Sequence, residues 1–247
     1  MTSLFFVKFK AFIYFCNIFF SALIMEIIFD NEIITAAPQL KVIKIEASVE
    51  NPETSDLLWD ELNSESDNIR NTYEMSMINK RPGIVATRAV YKTLGKEPNR
   101  YRPSCEALCR RIVKGMQLYR TLTLIDLINL LSIRSGYSIG GFDADKINGD
   151  ILHLGAGREG EQFEAIGRGP LNIAHMPIYR DNTGGIGTPT SDEERTKLSP
   201  STKNLLMCIN IYGEELSAND TIDFACELLS RHANATNIKI DIITNQQ

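Results

Sequence analysis

Residues Leu122–Gly136 read LTLIDLINLLSIRSG, and the class of the fold turns on what lies on either side of them. The stretch itself predicts an apolar helix that stops at Gly136. Upstream, the pattern is already helical. Thr54 or Ser55 can cap DLLWDEL, where Leu57, Leu58 and Leu62 recur at helical spacing, and Pro82 opens GIVATRAVYKTL, which ends at Gly95. After the loop KEPNRYRPS, with Pro103 at a first helical turn, Cys105, Leu108, Cys109, Ile112 and Met116 form one apolar stripe. Downstream of Gly136 the rhythm changes to strands. DILHL and QFEAIG flank GAGREGE as a hairpin, and MPIYRD and NLLMCINIYG follow with NTGGIGT between them. A helix, NDTIDFACELLSRHA, and a strand, NIKIDII, close the chain, and two early strands lie near Glu26–Asp30 and Lys41–Ala47. Helices and strands are segregated rather than alternating, which makes the class α+β.

The 247 residues are 43% hydrophobic and 23% charged, the balance of a globular protein with a sizeable core. A net charge of −5 excludes a general nucleic-acid binder, but the charge is unevenly placed. Eight acids and no base lie between Ile45 and Ile69, and eight bases against two acids lie between Lys92 and Arg120. Screening confines each charge to about 10 Å at moderate salt, so the second segment either holds a polyanion or is a solvated helix face. Five cysteines, Cys16, Cys105, Cys109, Cys208 and Cys226, have no pairing rhythm and no zinc spacing. They read as reduced and mostly buried, with no metal site, which suits the cytoplasm.

Residues 1–24 are treated separately. Their apolar run is short for a membrane span and lacks a signal-peptide cleavage site. The expectation is that translation starts at Met25 and that 1–24 lie outside a single domain of residues 25–247. A membrane anchor is the alternative.

GAGREG matches a dinucleotide-binding pattern only formally, because a strand rather than a helix follows it. No phosphate loop appears, so no ATP site or other cofactor is expected. His153, His175 and His232 are scattered and assemble no triad. Arg100, Tyr101, Arg102, Arg110 and Arg111 frame the helix of RYRPSCEALCRRIVKG. Guanidinium groups there suit phosphate and the tyrosine suits a base, or else ion pairs such as Glu106 to Arg110 pin the helix. In GTPTSDEERT, residues Gly187–Thr196, Ser191 with Glu194 or Thr190 with Glu193 fits a capping box. Arg195 would fix the loop or a phosphate.

Taken in order, RYRPSCEALCRRIVKG, TLIDLINLLSIRSG, GGFDADKINGDI, AIGRGPLNI and GTPTSDEERT…STKNLLMCINIYG resemble the B3/B4 domain of the phenylalanyl-tRNA synthetase beta subunit, in a free-standing version. The likeness covers about residues 80–213. It implies a β-sandwich of unusual topology with flanking helices and a pocket that hydrolyses mischarged aminoacyl-tRNA. It carries over Asp126, Asn129, Phe142, Asp143, Asp145 and Asn204. Two positions depart: Gly140 stands where the synthetase pocket has a histidine, and Cys208 where it has the glutamate that reads the tyrosine hydroxyl. The candidate pocket is therefore Asn129, Gly140, Thr188, Thr190, Ser191, Asn204 and Cys208. Backbone N–H groups of NTGGIGT are the expected oxyanion donors. The resemblance implies an aminoacyl-tRNA deacylase acting in trans, or a non-catalytic tRNA-, RNA- or ligand-binding module, and in neither case an independent ligase.

Overall fold

The computed structural model describes residues 25–245 as three layers. The expectations for residues 1–24, Cys16 included, fall outside the described residues. Two four-stranded sheets form two of the layers. One has the order β10-β2-β9-β3, built from Thr236–Thr244, Lys41–Ser48, Asn204–Ile211 and Ile139–Asp143. The other has the order β1-β4-β7-β8, from Glu26–Phe29, Ile151–Ala156, Pro177–Arg180 and Gly185–Gly187. Seven helices are described: α1 Asn31–Ala36, α2 Asp56–Thr72, α3 Met75–Ile78, α4 Pro82–Leu94, α5 Ser104–Val113, α6 Thr123–Ser135 and α7 Ala218–His232.

The first sheet is the middle layer, and its sequence says why. In β9, Leu205, Met207, Ile209 and Ile211 join the core shared with α2, α5, α6 and α7, while Leu206 and Cys208 join the core between the sheets. A strand buried on both faces reads as an unbroken apolar run, as NLLMCINI does. Strand β3 obeys the same alternation, with Ile139 toward the helices and Phe142 toward the second sheet. There the Phe142 ring meets Tyr179 of β7 edge-on, 6.4 Å between centroids.

Several expected boundaries recur in the fold. Ser55 caps α2 through Leu58 N, and α4 and α6 end on left-handed Gly95 and Gly136. Other expectations are corrected. Leu57 is exposed, because the buried stripe of α2 runs through Leu58, Leu62 and Ile69. Met116 lies beyond the end of α5 and is exposed. GAGREGE makes no hairpin between DILHL and QFEAIG. Strand β4 pairs with β1 and β7, and the second segment keeps only β5, Glu164–Ala165, which pairs with β6, Gly169–Pro170. NTGGIGT contains strand β8, and SIGGFD contains β3. Cys105, Cys109, Cys208 and Cys226 are free thiols. Among the described residues no helix is long and apolar enough to cross a membrane.

Candidate functional site

On the helix face of β3 the middle layer is incompletely covered, and a cavity of about 420 Å³ opens there. Helix α5 contributes Ser104 and Leu108, four residues apart; α6 contributes Ile125, Ile128, Asn129 and Ser132. Both sets follow the spacing that puts side chains on one helical face. Ile139 and Gly141 come from alternate positions of β3, and Thr188, Ser191, Asp192, Lys197 and Leu198 from the segment along its free edge. Gly141 lets α6 pack close onto β3, since a Cβ there would lie 2.4 Å from Ile128 Cδ1. At the mouth stands Ile166, at the tip of the β5–β6 hairpin, its N–H bonded to the Asp192 carbonyl at 3.1 Å. The walls are thus mainly aliphatic with a few convergent polar groups, the usual make-up of a small-ligand site.

Asp192 is the distinctive polar group. Burial pushes its carboxyl up to about 7, opposed by the Gly141 N–H that Oδ2 accepts at 3.2 Å. Asp192 lines the cavity while its Oδ1 lies toward Gly140 and Gly187, so the carboxyl stands at the β3 edge between the cavity and the inter-sheet core, where a group poised near neutrality can take and return a proton. Sequence reading passed over Asp192 although it sits in the middle of GTPTSDEERT. Nothing in that run of acids distinguishes the one that the β3 edge buries. The side chains of Asn129 and Ser104, on the opposite walls, make no hydrogen bond among the described residues and remain available to a ligand.

Of the sequence-derived pocket residues, Asn129, Thr188 and Ser191 line this cavity with Asp192. The other four lie elsewhere. Gly140 and Cys208 are cross-strand partners that face the second sheet. The Phe142 ring occupies the space above them: a Cβ on Gly140 would stand 2.6 Å from Phe142 Cζ, and Cys208 is fully buried. The Cys208 thiol is pushed up by burial first and by the nearby Asp192 second, so it is held neutral. Thr190 is buried away from the cavity, its hydroxyl 2.7 Å from Tyr91 Oη. Asn204, exposed at the start of β9, donates to both Asp145 oxygens at 2.9 and 3.1 Å.

Asp126 and Asp143 hold the scaffold together. Asp126 accepts from Thr54 Oγ1 at 2.5 Å, Thr121 N at 2.8 Å and Thr121 Oγ1 at 2.9 Å, tying the start of α6 to the segment before α2. Asp143 accepts from Thr202 Oγ1 at 2.9 Å and pairs with Lys146 at 3.1 Å.

The glycine-rich segment is not a set of free donors. The N–H groups of Thr183 and Gly184 are taken by Asp181 Oδ1, that of Thr188 by the Ser191 carbonyl, and those of Thr190 and Ser191 by Thr188 Oγ1. Because Thr188 and Ser191 close this local turn, no capping box forms. Glu193 instead caps a short 3₁₀ turn, Glu194–Thr196.

The arginines divide in the same way. Arg195 is bidentate on buried Asp181, at 2.8 and 3.0 Å, and also donates to the Lys146 carbonyl. Against the burial that would raise it, Arg195 and the N–H groups of Asn148, Thr183 and Gly184 hold the Asp181 carboxyl below its usual range. Arg110 Nε is 2.8 Å from fully buried Glu106, which also receives Arg88 at 2.8 Å. Tyr101 packs against the small core of Tyr91, Phe163 and Ile173, with Lys96 Nζ 3.8 Å from its ring centroid. These three are fixed by the fold, whereas Arg100 and Arg102 are exposed and Arg111 is partly so.

A family model described as the B3/4 domain matches residues 86–234, more than half of the chain. No curated protein matches. Among solved structures, the crystal structure of an N-terminal fragment of the phenylalanyl-tRNA synthetase beta-subunit from Pyrococcus horikoshii is similar at a TM-score of 0.43 and 13% identity. The match covers 90% of this chain and 54% of that one, so the chain spans about half its length.

Proposed function

We propose, for a chain that belongs to the B3/4 domain family, that it hydrolyses the ester of an aminoacyl-tRNA, with the aminoacyl group seated in the α5–α6–β3 cavity. A tRNA substrate implies the cytoplasm. One observation carries the reading: a carboxyl poised at about 7, Asp192, on the wall of a cavity of small-ligand size. Asp192 would remove a proton from water as the water oxygen bonds to the ester carbonyl carbon. When the ester C–O bond breaks, the same proton passes to the ribose oxygen, leaving a free amino acid and a free tRNA end. Asn129 and Ser104 are the side chains free to hold the carbonyl oxygen as charge develops on it. Leu108, Ile125, Ile128, Ile139, Ile166 and Leu198 favour an aliphatic or otherwise apolar side chain. Cys208 stands at the position of the family glutamate, so tyrosine is not the expected substrate.

Incubation with a panel of mischarged tRNAs tests this. Apolar aminoacyl groups should be released faster than in buffer, and Asp192→Asn should slow that release about a hundred-fold or more. Release no faster than buffer on every member would overturn the hydrolase reading.

A second reading, a binding module without chemistry, is favoured by the commitment of the Thr183, Gly184, Thr190 and Ser191 N–H groups to the loop itself. It predicts that the wild type and Asp192→Asn bind a non-hydrolysable aminoacyl amide of tRNA equally well, with no turnover of the ester.

A further inference from the structure

The face of α5 next to the cavity, opposite buried Cys105, Cys109 and Ile112, carries a second concavity, about 220 Å³, lined by Met75, Arg102, Ala107, Arg110, Arg111, Lys114 and Met116. Four of these seven residues are cations and none is an acid. Among the described residues, only Arg110 of the four is neutralised, through its bond to Glu106. Complementarity with the helix dipole accounts for Arg110 and Arg111 in the last turn of α5. It does not account for Arg102, which is exposed just before the N-terminus, where a cation is electrostatically disfavoured.

Beside the concavity Tyr119 is 71% exposed. The Arg111 guanidinium lies 4.3 Å from its ring centroid and is itself anchored by a 2.7 Å bond from Nε to the Gln117 carbonyl. A held guanidinium against an exposed ring, with unneutralised cations around it, is the pairing of charge and π-face that single-stranded nucleic acid uses.

The geometry points to a contact surface for single-stranded RNA at this face, in which Arg102, Arg111 and Lys114 take successive phosphates and the Tyr119 ring stacks on a base. The inference rests on the tRNA reading above and gives it a place on the molecule. Helix α5 would then lie between the two functions, its Ser104 and Leu108 at the aminoacyl cavity and its basic face on the strand leading to it.

The test is fluorescence anisotropy of the full chain with a labelled single-stranded RNA and with uncharged tRNA, at several salt concentrations. Each phosphate left without its cation should lower the slope of log K against log salt by about 0.7 for a single strand, so the triple variant Arg102→Ala, Arg111→Ala, Lys114→Ala should lose about 2. Tyr119→Ala should weaken binding roughly ten-fold with an unchanged slope, and Tyr119→Phe should bind as the wild type does. Circular dichroism melting of each variant confirms that it is folded. Wild-type affinity and slope in the triple variant would overturn the proposal. So would a wild type that binds no RNA, equal displacement by polyglutamate, or indifference of binding to Tyr119→Ala. Uncharged RNA needs no chemistry, so the two readings fail separately. Loss of deacylation with binding intact removes the hydrolase reading alone, and deacylation with patch variants that bind normally removes this surface alone.

Discussion

Two consecutive glycines of β3 meet opposite environments. Gly141 faces α6 and borders the candidate site, and there the far end of Ile128, a side chain that can turn aside, takes the place of the missing one. Gly140 faces the second sheet, and there the ring of Phe142 fills the corresponding space. At both glycines a neighbour takes the space of the missing side chain, and what differs is how far that neighbour can give way. On the helix side it is the flexible end of an isoleucine beside a cavity, whereas on the other it is an aromatic ring two residues along the same strand, locked between sheets. The departures at 140 and 208 therefore belong together: they are register partners on the face that is now solid core. The chain's polar chemistry lies along the free edge of β3, with Asp192 at its centre.

The largest effect should come from breaking the solid side. Phe142→Ala removes a fully buried ring between the sheets and should cost about 3–5 kcal/mol, read by denaturant melts. A cost below about 1 kcal/mol would mean that the ring is not what closes that face.

Next in size is the open side's chemistry. If Asp192 is the base, Asp192→Asn should raise the barrier by about 2.7 kcal/mol, the hundred-fold loss named above. The wild-type rate should climb with pH and level off above about 7, where the carboxyl has given up its proton. A flat profile between pH 5 and 8 would remove Asp192 from the reaction.

How much of this was legible in the sequence follows from which interactions are local. Helix ends were readable because Ser55, Pro82, Gly95 and Gly136 act within a turn of themselves. The strands β2 and β9 were readable because burial on both faces imposes its pattern on adjacent residues. Strand pairing was not, since Ile151–Ala156 finds partners more than twenty residues away on either side. In the site, Asn129 was reachable through its motif. Asp192 was not, because its burial depends on β3, some fifty residues distant. Thr190 and Ser191 differ by one position, yet one bonds to Tyr91 in the core and the other lines the cavity.

The two glycines can be compared directly. Gly140→Ala would set a methyl 2.6 Å from the Phe142 ring, a rigid group locked between sheets. Gly141→Ala would set one 2.4 Å from Ile128 Cδ1, the far end of a side chain that can turn aside. Overpacking costs about 1–3 kcal/mol, and the Gly140 variant should lie at the upper end of that range and Gly141 at the lower. Gly141→Val should fill the cavity and abolish binding of an aminoacyl amide while the protein stays folded. A Gly141→Val protein with full binding would show that the ligand sits elsewhere.

The smallest effect concerns two aspartates on one segment with opposite shifts. Arg195→Ala leaves Asp181 with the N–H groups of Asn148, Thr183 and Gly184, so the cost should be only ~1–2 kcal/mol near neutral pH. The Asp181 carboxyl is depressed in the fold. Its stabilisation is therefore complete above the unfolded value of about 3.9 and disappears as pH falls through the lower folded value. The gap between wild type and Arg195→Ala should accordingly close in acid. Asp192 is raised, so the fold loses stability as pH climbs from about 4 toward 7, where the buried carboxyl must ionise. Asp192→Asn should match the wild type near pH 4 and exceed it in melting temperature at pH 8. Parallel melting curves for the two variants across pH 3–8 would show that the β3 edge imposes no such difference. Curves that diverge in opposite directions would confirm that the edge buries one carboxyl and that the loop beside it solvates the other.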